Sequence, residues 1–304
     1  MLVYPHKENR CAIPADKTEW LEVYLTKKCN AKCEWCFDKN SYHPLDKCDY
    51  KQMAEKIITF QQPNIILTGG EPTLYKDLDK LIDILNTNNK NVYITTNGSK
   101  LNENFVDKLM NIKGITISIH HFDLNRNYEL TGIKLDENVL TLCIQKLKAL
   151  NIDVRINCTV TKGYIQTLDD IYDFIEFGKK MGVNAMRFAE ISYYDDLFVD
   201  LNKIFNNNYG LSDEPFTNGC YKTATINDMQ VDFKLSCGAL TQHRKLPEGA
   251  TSVVYKNVIY YDGEAYKGWQ TSYNQFDEKT IDSILDNLLK SKISKEKAIK
   301  YLSI

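Results

Sequence analysis

The stretch EWLEVYLTKKCNAKCEWCFDK, residues 19–39, decides the fold. Residues 19–26 alternate apolar and polar side chains, the pattern of a half-buried strand. Three cysteines follow at once: Cys29, Cys33 and Cys36, spaced C-x3-C-x2-C in a polar loop. Structural cysteines prefer apolar surroundings, so three thiols in such a loop point to a metal. Zinc wants four closed ligands, with His43 or Cys48 as candidates for the fourth. An iron–sulfur cluster on three thiolates leaves one iron without a cysteine ligand, open to a substrate or cofactor.

Outward from this loop, short apolar runs alternate with helical patterns. Strands are predicted over 19–26, 64–70, 91–99, 114–120, 152–161 and 184–192, and helices over 49–62, 77–88, 102–111, 137–150 and 167–182. Strict alternation implies a parallel sheet, because parallel neighbours need a long crossover. Right-handed crossovers would curl such units toward a barrel, although periodicity alone also admits an open doubly wound sheet. The chemistry-bearing residues follow strands, where α/β proteins place their sites. The cysteine loop follows the first, GGEP (69–72) the second, TTNG (95–98) spans the end of the third, and His120–His121 end the fourth.

The bulk numbers fit a folded enzyme-sized chain. It has 304 residues, 43% hydrophobic and 26% charged, with a formal net charge of −2. That charge provides no global attraction for a long nucleic acid or an anionic membrane. No apolar run is long enough to span a bilayer, and the N-terminus lacks the pattern of a signal peptide, so a cytoplasmic protein is expected. The remaining cysteines (Cys11, Cys48, Cys143, Cys158, Cys220 and Cys237) are scattered and make no disulfide framework.

C-x3-C-x-aromatic-C followed by GGEP on the next β/α unit resembles the signature of the radical S-adenosylmethionine (radical SAM) enzymes, over roughly residues 18–192. The resemblance implies a [4Fe–4S] cluster on Cys29, Cys33 and Cys36, with SAM on the open iron. Its one-electron cleavage would give a 5′-deoxyadenosyl radical that takes hydrogen from a substrate. It also implies that Trp35, Gly69, Gly70, Glu71, Thr96, Ser118 and Asn157 contact SAM, and that a flavodoxin- or ferredoxin-type protein donates electrons. From the residues themselves, Gly69 and Gly70 allow a close backbone approach. Arg155 and Asn157 point the same way along strand five, into the site or into an ordinary salt bridge and hydrogen bond.

Beyond residue 192 the chain is expected to change character: a helix running into an Asn/Gly-rich loop, a poorly periodic stretch over 213–250, and short strands over 251–270 broken at Lys256-Asn257 and Asp262-Gly263. Helices at about 277–290 and 293–302 close the chain. LSCGALTQ and VIYYDGEAYKGWQ loosely resemble the SPASM/twitch extension, but YKGW (266–269) lacks its cysteine. The expectation is therefore an α/β fold. It comprises an N-terminal segment (1–17), a partial (β/α)6 TIM-like barrel (18–192) and a small mixed α+β extension (193–304). The extension caps the substrate without a cluster of its own. Cys220, Cys237 and His243 are candidates for an auxiliary metal, either cysteine for a hydrogen-atom donor, and two buried structural thiols are the plain alternative.

The resemblance favours a peptide or protein side chain as substrate, with a nucleoside, nucleotide or other small molecule as the alternative. The GTP-cyclising enzyme of molybdenum-cofactor synthesis shares GGEP, TTNG and RFAE (187–190). It needs three further C-terminal cysteines, which this chain lacks, so that assignment is disfavoured. Viperin-like nucleotide dehydratases share CNxKCxxCF but have no such hairpin. A zinc-stabilised binding protein is the reading from another class, and it leaves GGEP unexplained.

Overall fold

A computed structural model describes residues 18–40, 43–44, 47–192, 194–206, 221–236 and 257–269. Segment 1–17, Cys220, Cys237, His243 and the two helices expected after 277 lie outside them.

Six parallel strands run in sequence order: β1 (Trp20–Tyr24), β2 (Asn64–Thr68), β3 (Asn91–Thr96), β4 (Gly114–Ser118), β5 (Asp153–Thr159) and β6 (Ala185–Ala189). Helices α1 (Tyr50–Ile58), α2 (Leu78–Thr87), α3 (Glu103–Asp107), α4 (Leu124–Thr131), α5 (Glu137–Ala149) and α6 (Leu168–Met181) make the crossovers. The expected elements thus fall in place as a partial (β/α)6 barrel. Ile65 and Leu67 of β2, and Val92 and Ile94 of β3, join the apolar core of Leu81, Leu85, Val106 and Ile144 from the helices. Capping boxes start two helices: Asp49 with Gln52 for α1, and Thr167 with Asp170 for α6.

Three features depart from the sequence pattern. Helix α4 has few apolar residues; its buried positions are Asn127, Leu130 and Thr131, so no amphipathic period marks it. The single helix expected after residue 192 is a 3-10 turn at Asp195–Leu197 followed by a short α7 (Leu201–Asn206). The stretch read as poorly periodic carries a hairpin, β7 (Tyr221–Ile226) and β8 (Met229–Lys234). Asn227 and Asp228 turn it with positive φ of 47° and 62°, as a two-residue primed turn requires.

Two hairpins from the C-terminal third complete the sheet. Strand β8 pairs in parallel with β6. Strand β9 (Asn257–Ile259) pairs in parallel with β1, and β10 (Ala265–Lys267) returns antiparallel to it. The extension therefore continues both edges of the barrel sheet, in the order β10-β9-β1-β2-β3-β4-β5-β6-β8-β7. The Asp262-Gly263 turn falls where the sequence placed it, with Gly263 at φ 85°.

Candidate functional site

The cysteine loop is fixed by three neighbours. The first is the GGE turn after β2. Gly70 N donates to Thr26 O at 2.6 Å and Glu71 N donates to Lys28 O at 2.8 Å. A Cβ on Gly70 would stand 2.5 Å from Lys28 O, and one on Gly69 2.7 Å from Thr26 O. The glycines are thus required by the loop's own backbone. The second neighbour is the turn after β3, where Asn97 Nδ2 donates to Asn30 Oδ1 and Asn30 Nδ2 to Ser99 Oγ, both at 2.9 Å. The third is the end of α4, whose Thr131 O accepts from Lys32 N at 2.7 Å. Gly132, left-handed at φ 69°, stops that helix beneath Lys32.

Glu71 is almost fully buried. Its Oε1 accepts from Thr73 N (3.0 Å), Thr73 Oγ1 (2.5 Å) and Thr96 Oγ1 (2.6 Å), and its Oε2 from Asn97 N (2.7 Å). This carboxylate ties the β2 turn to the β3 turn. The Thr96 hydroxyl donates to Glu71 and accepts from Gly98 N.

Trp35 packs with Leu130 and Ile191, and Cys33 lies against that group. The Trp35 and His120 rings meet edge-on, 5.2 Å apart. His120 Nδ1 accepts from Thr159 N at 3.0 Å, which leaves the proton on Nε2. Burial lowers the His120 pKa from 6.5 to about 4. His121 is also lowered, by burial first and then by Arg126. A histidine held neutral in the fold but protonated when unfolded makes stability fall as pH drops from 6.5 toward 4, and level off below that. His120→Asn, which keeps an acceptor for Thr159, is expected to flatten this slope in urea titrations of the metal-free protein. An unchanged slope would refute the assignment.

Ser118, Asn157 and Arg187 lie side by side on β4, β5 and β6, in register Ser118↔Asn157 and Asn157↔Arg187. Arg187 Nε donates to Asn157 Oδ1. A hydroxyl, an amide and a guanidinium thus line one level of the barrel interior. Arg155, one level below, forms a buried ion pair with Asp232 of β8 at 3.6 Å.

The three thiols suit a multi-iron group. Burial raises the pKa of all three, Cys33 to about 12, and the charges of Cys36 and Cys29 add to the shift at Cys33. Three such thiolates need a cationic partner. Among the described residues no group of three His, Cys, Asp or Glu side chains is gathered to hold a single metal ion. The proposed fourth zinc ligands point elsewhere. His43 Nε2 bonds Asp38 O at 3.0 Å, and the Cys48 sulfur lies against Gly263.

The sequence pattern did not reveal an aromatic brace behind Cys36. Trp269, from YKGW, meets Phe37 edge-on at 4.8 Å, and its Nε1 donates to Glu22 Oε2 at 2.7 Å. Tyr24 packs against Trp269, Tyr260 and Tyr261, and its hydroxyl donates to Asp38. Trp269 thus braces the loop that carries Cys36. Trp269→Ala is expected to speed amide hydrogen exchange at residues 36–40 by about tenfold in the metal-free protein, with Trp269→Phe close to wild type. Equal exchange in all three would remove the brace.

Comparison with known proteins agrees with this architecture. The family model described as the Radical SAM superfamily matches residues 23–178. A GTP 3′,8-cyclase of Aquifex aeolicus is 30% identical over 180 residues, covering 56% of this chain and 55% of that protein. A probable GTP 3′,8-cyclase of Sulfurisphaera tokodaii is 30% identical over 178 residues, covering 57% and 56%. The chain thus spans little more than half the length of these curated relatives. Among solved structures, SuiB of Streptococcus suis bound to S-adenosylmethionine shares the fold, with a TM-score of 0.60 at 18% identity, over 88% of this chain and 65% of SuiB. The family match spans the cysteine loop and the GGE turn: the chain belongs to the radical SAM superfamily and is an enzyme that uses a [4Fe–4S] cluster and SAM.

Proposed function

We propose that this enzyme takes hydrogen from a peptide or protein side chain, leading to epimerisation, crosslinking or carbon–carbon bond formation, in the cytoplasm, where its thiols stay reduced. The observation that carries the reading is how far each likeness extends. Identity to the cyclases covers 56% of the chain. The fold shared with SuiB, which has been solved with the precursor peptide SuiA, covers 86% and so reaches past the barrel.

Cys29, Cys33 and Cys36 hold three irons of the cluster in this reading. Bound together, cluster and SAM supply a one-electron cleavage of the sulfonium C–S bond that yields methionine and a 5′-deoxyadenosyl radical. The chain's own residues position the reactants. Gly69 and Gly70 seat the cysteine loop on the barrel, and Glu71 with Thr96 fixes the turns around it. Ser118 and Asn157 bond SAM, with Arg187 orienting the Asn157 amide. Trp35 and His120 wall the cluster from water. Residues 193–304 cap the substrate.

A second reading, a nucleotide substrate, is favoured by the names of the curated relatives. Both are tested by 5′-deoxyadenosine release from reconstituted protein with SAM and reductant. GTP is expected to leave release at its substrate-free level, and a pool of unstructured peptides to raise it several-fold. Stimulation by GTP alone, with a cyclised product, would replace the first reading with the second.

A further inference from the structure

Strand β8 adds a carboxylate to the polar wall of the barrel. Val231 and Phe233 join the apolar core, so Asp232 takes the opposite face of the sheet, the one that Asn157 and Arg187 occupy. In register, Ser118, Asn157, Arg187 and Asp232 form one row across β4, β5, β6 and β8, and Thr223 of β7 continues it. Asp232 is buried and Arg155 fully so. The two Asp232 oxygens have separate partners: Thr223 Oγ1 donates to Oδ1 at 2.8 Å, and Arg155 Nη1 lies 3.6 Å from Oδ2. Strand β6 runs between the members of this ion pair. Its residue beside Arg155 is Ala185, whose side chain ends at Cβ, so Arg155 crosses β6 there, a level below Arg187. Asp232 lies outside residues 23–178, the part matched by the family model.

The wall thus carries two guanidiniums on the same face as Asn157. Arg187 Nε donates to Asn157 Oδ1. Arg155 stands two residues before Asn157 on β5, about 7 Å along the strand, a span that an arginine side chain covers. Asp232 draws it across β6 instead. We propose that Asp232, supplied by the C-terminal extension, is a positioning residue for SAM. By engaging Arg155 it reserves Asn157 Oδ1 for Arg187, so that Asn157 presents its amide nitrogen to the cofactor. The inference rests on the reading that Asn157 bonds SAM. Without the carboxylate, Arg155 keeps a buried charge that must find another oxygen, and Asn157 Oδ1 is at hand.

The test compares full-length wild type with Asp232→Asn, Arg155→Met, the Asp232→Asn/Arg155→Met double variant and Asn157→Ala. SAM affinity is measured by calorimetry on iron-loaded protein with the cluster left oxidised, so that no SAM is cleaved. Urea unfolding of the metal-free proteins is measured alongside. Asp232→Asn is expected to bind SAM about tenfold more weakly, the loss of one hydrogen bond. Arg155→Met leaves the Asp232 carboxylate to its register neighbour Arg187, and a similar loss is expected; it serves as the single variant should Asp232→Asn not fold. The double variant, with neither charge, is expected to bind within about threefold of wild type and to regain stability, because no buried charge is left without its partner. A purely structural pair would lower the urea midpoints and leave SAM affinity alone. Wild-type SAM affinity in the folded single variants would therefore overturn the proposal, as would a double variant that binds as weakly as the singles. Asn157→Ala separates the two readings. If it binds SAM as wild type does, the SAM contact of Asn157 fails and takes the proposal with it. If it binds weakly while Asp232→Asn and Arg155→Met do not, only the role of Asp232 fails.

Discussion

Glu71→Ala is expected to destabilise the metal-free protein by roughly 3–5 kcal/mol, near the upper end for a single substitution. Four donors, from Thr73 (two), Thr96 and Asn97, lose their acceptor together. Thr73 and Thr96 are buried, so water replaces the carboxylate poorly there. Glu71→Gln keeps one acceptor oxygen but turns an amide N–H toward the remaining donors, and an intermediate loss is expected. Urea unfolding of the three proteins checks this. A loss below about 1 kcal/mol for the alanine variant would show that the carboxylate is not the tie between the turns. Thermal scans of the same proteins should rank them in the same order.

Gly70→Ala should do less to global stability and more to metal retention. The added methyl would meet Lys28 backbone atoms at 2.5 and 2.7 Å, and backbone cannot rotate away as a side chain can. The loop must retreat, which strains the bonds from Gly70 N to Thr26 O and from Glu71 N to Lys28 O. A cost of about 2–3 kcal/mol is expected for overpacking of this kind. Because the displaced segment leads into Cys29, iron release to a chelator should quicken by at least tenfold relative to wild type. A Gly70→Ala variant that holds iron as well as wild type would mean that the close approach is incidental to the site.

How much of this was legible beforehand depended on which physical signal each feature carries. Strands β1 to β6 and helices α1, α2, α3, α5 and α6 announce themselves by period, because one face of each is apolar. The cysteines are legible because their spacing is local. The partners that hold the loop are not, since Asn30–Asn97, Lys32–Thr131 and Phe37–Trp269 join residues far apart in sequence. Helix α4 stayed hidden because a buried asparagine, Asn127, occupies its inner face, bonded to His120 N at 2.8 Å. The Asn227-Asp228 turn was a readable signal: two residues tolerant of positive φ between alternating strands. Gly69, Gly70 and Glu71 were identified as site residues. They were read as SAM contacts; the bonds by which they also seat the cysteine loop join distant residues and leave no local trace in the sequence.

The most direct test of the central claim is a count of iron and sulfide per chain after anaerobic reconstitution, on wild type and on the Cys29/Cys33/Cys36→Ala variant. The expected result is about four irons per wild-type chain, held by three thiolates, and none in the variant. Stoichiometric zinc in place of iron, or iron that survives loss of all three cysteines, would contradict it.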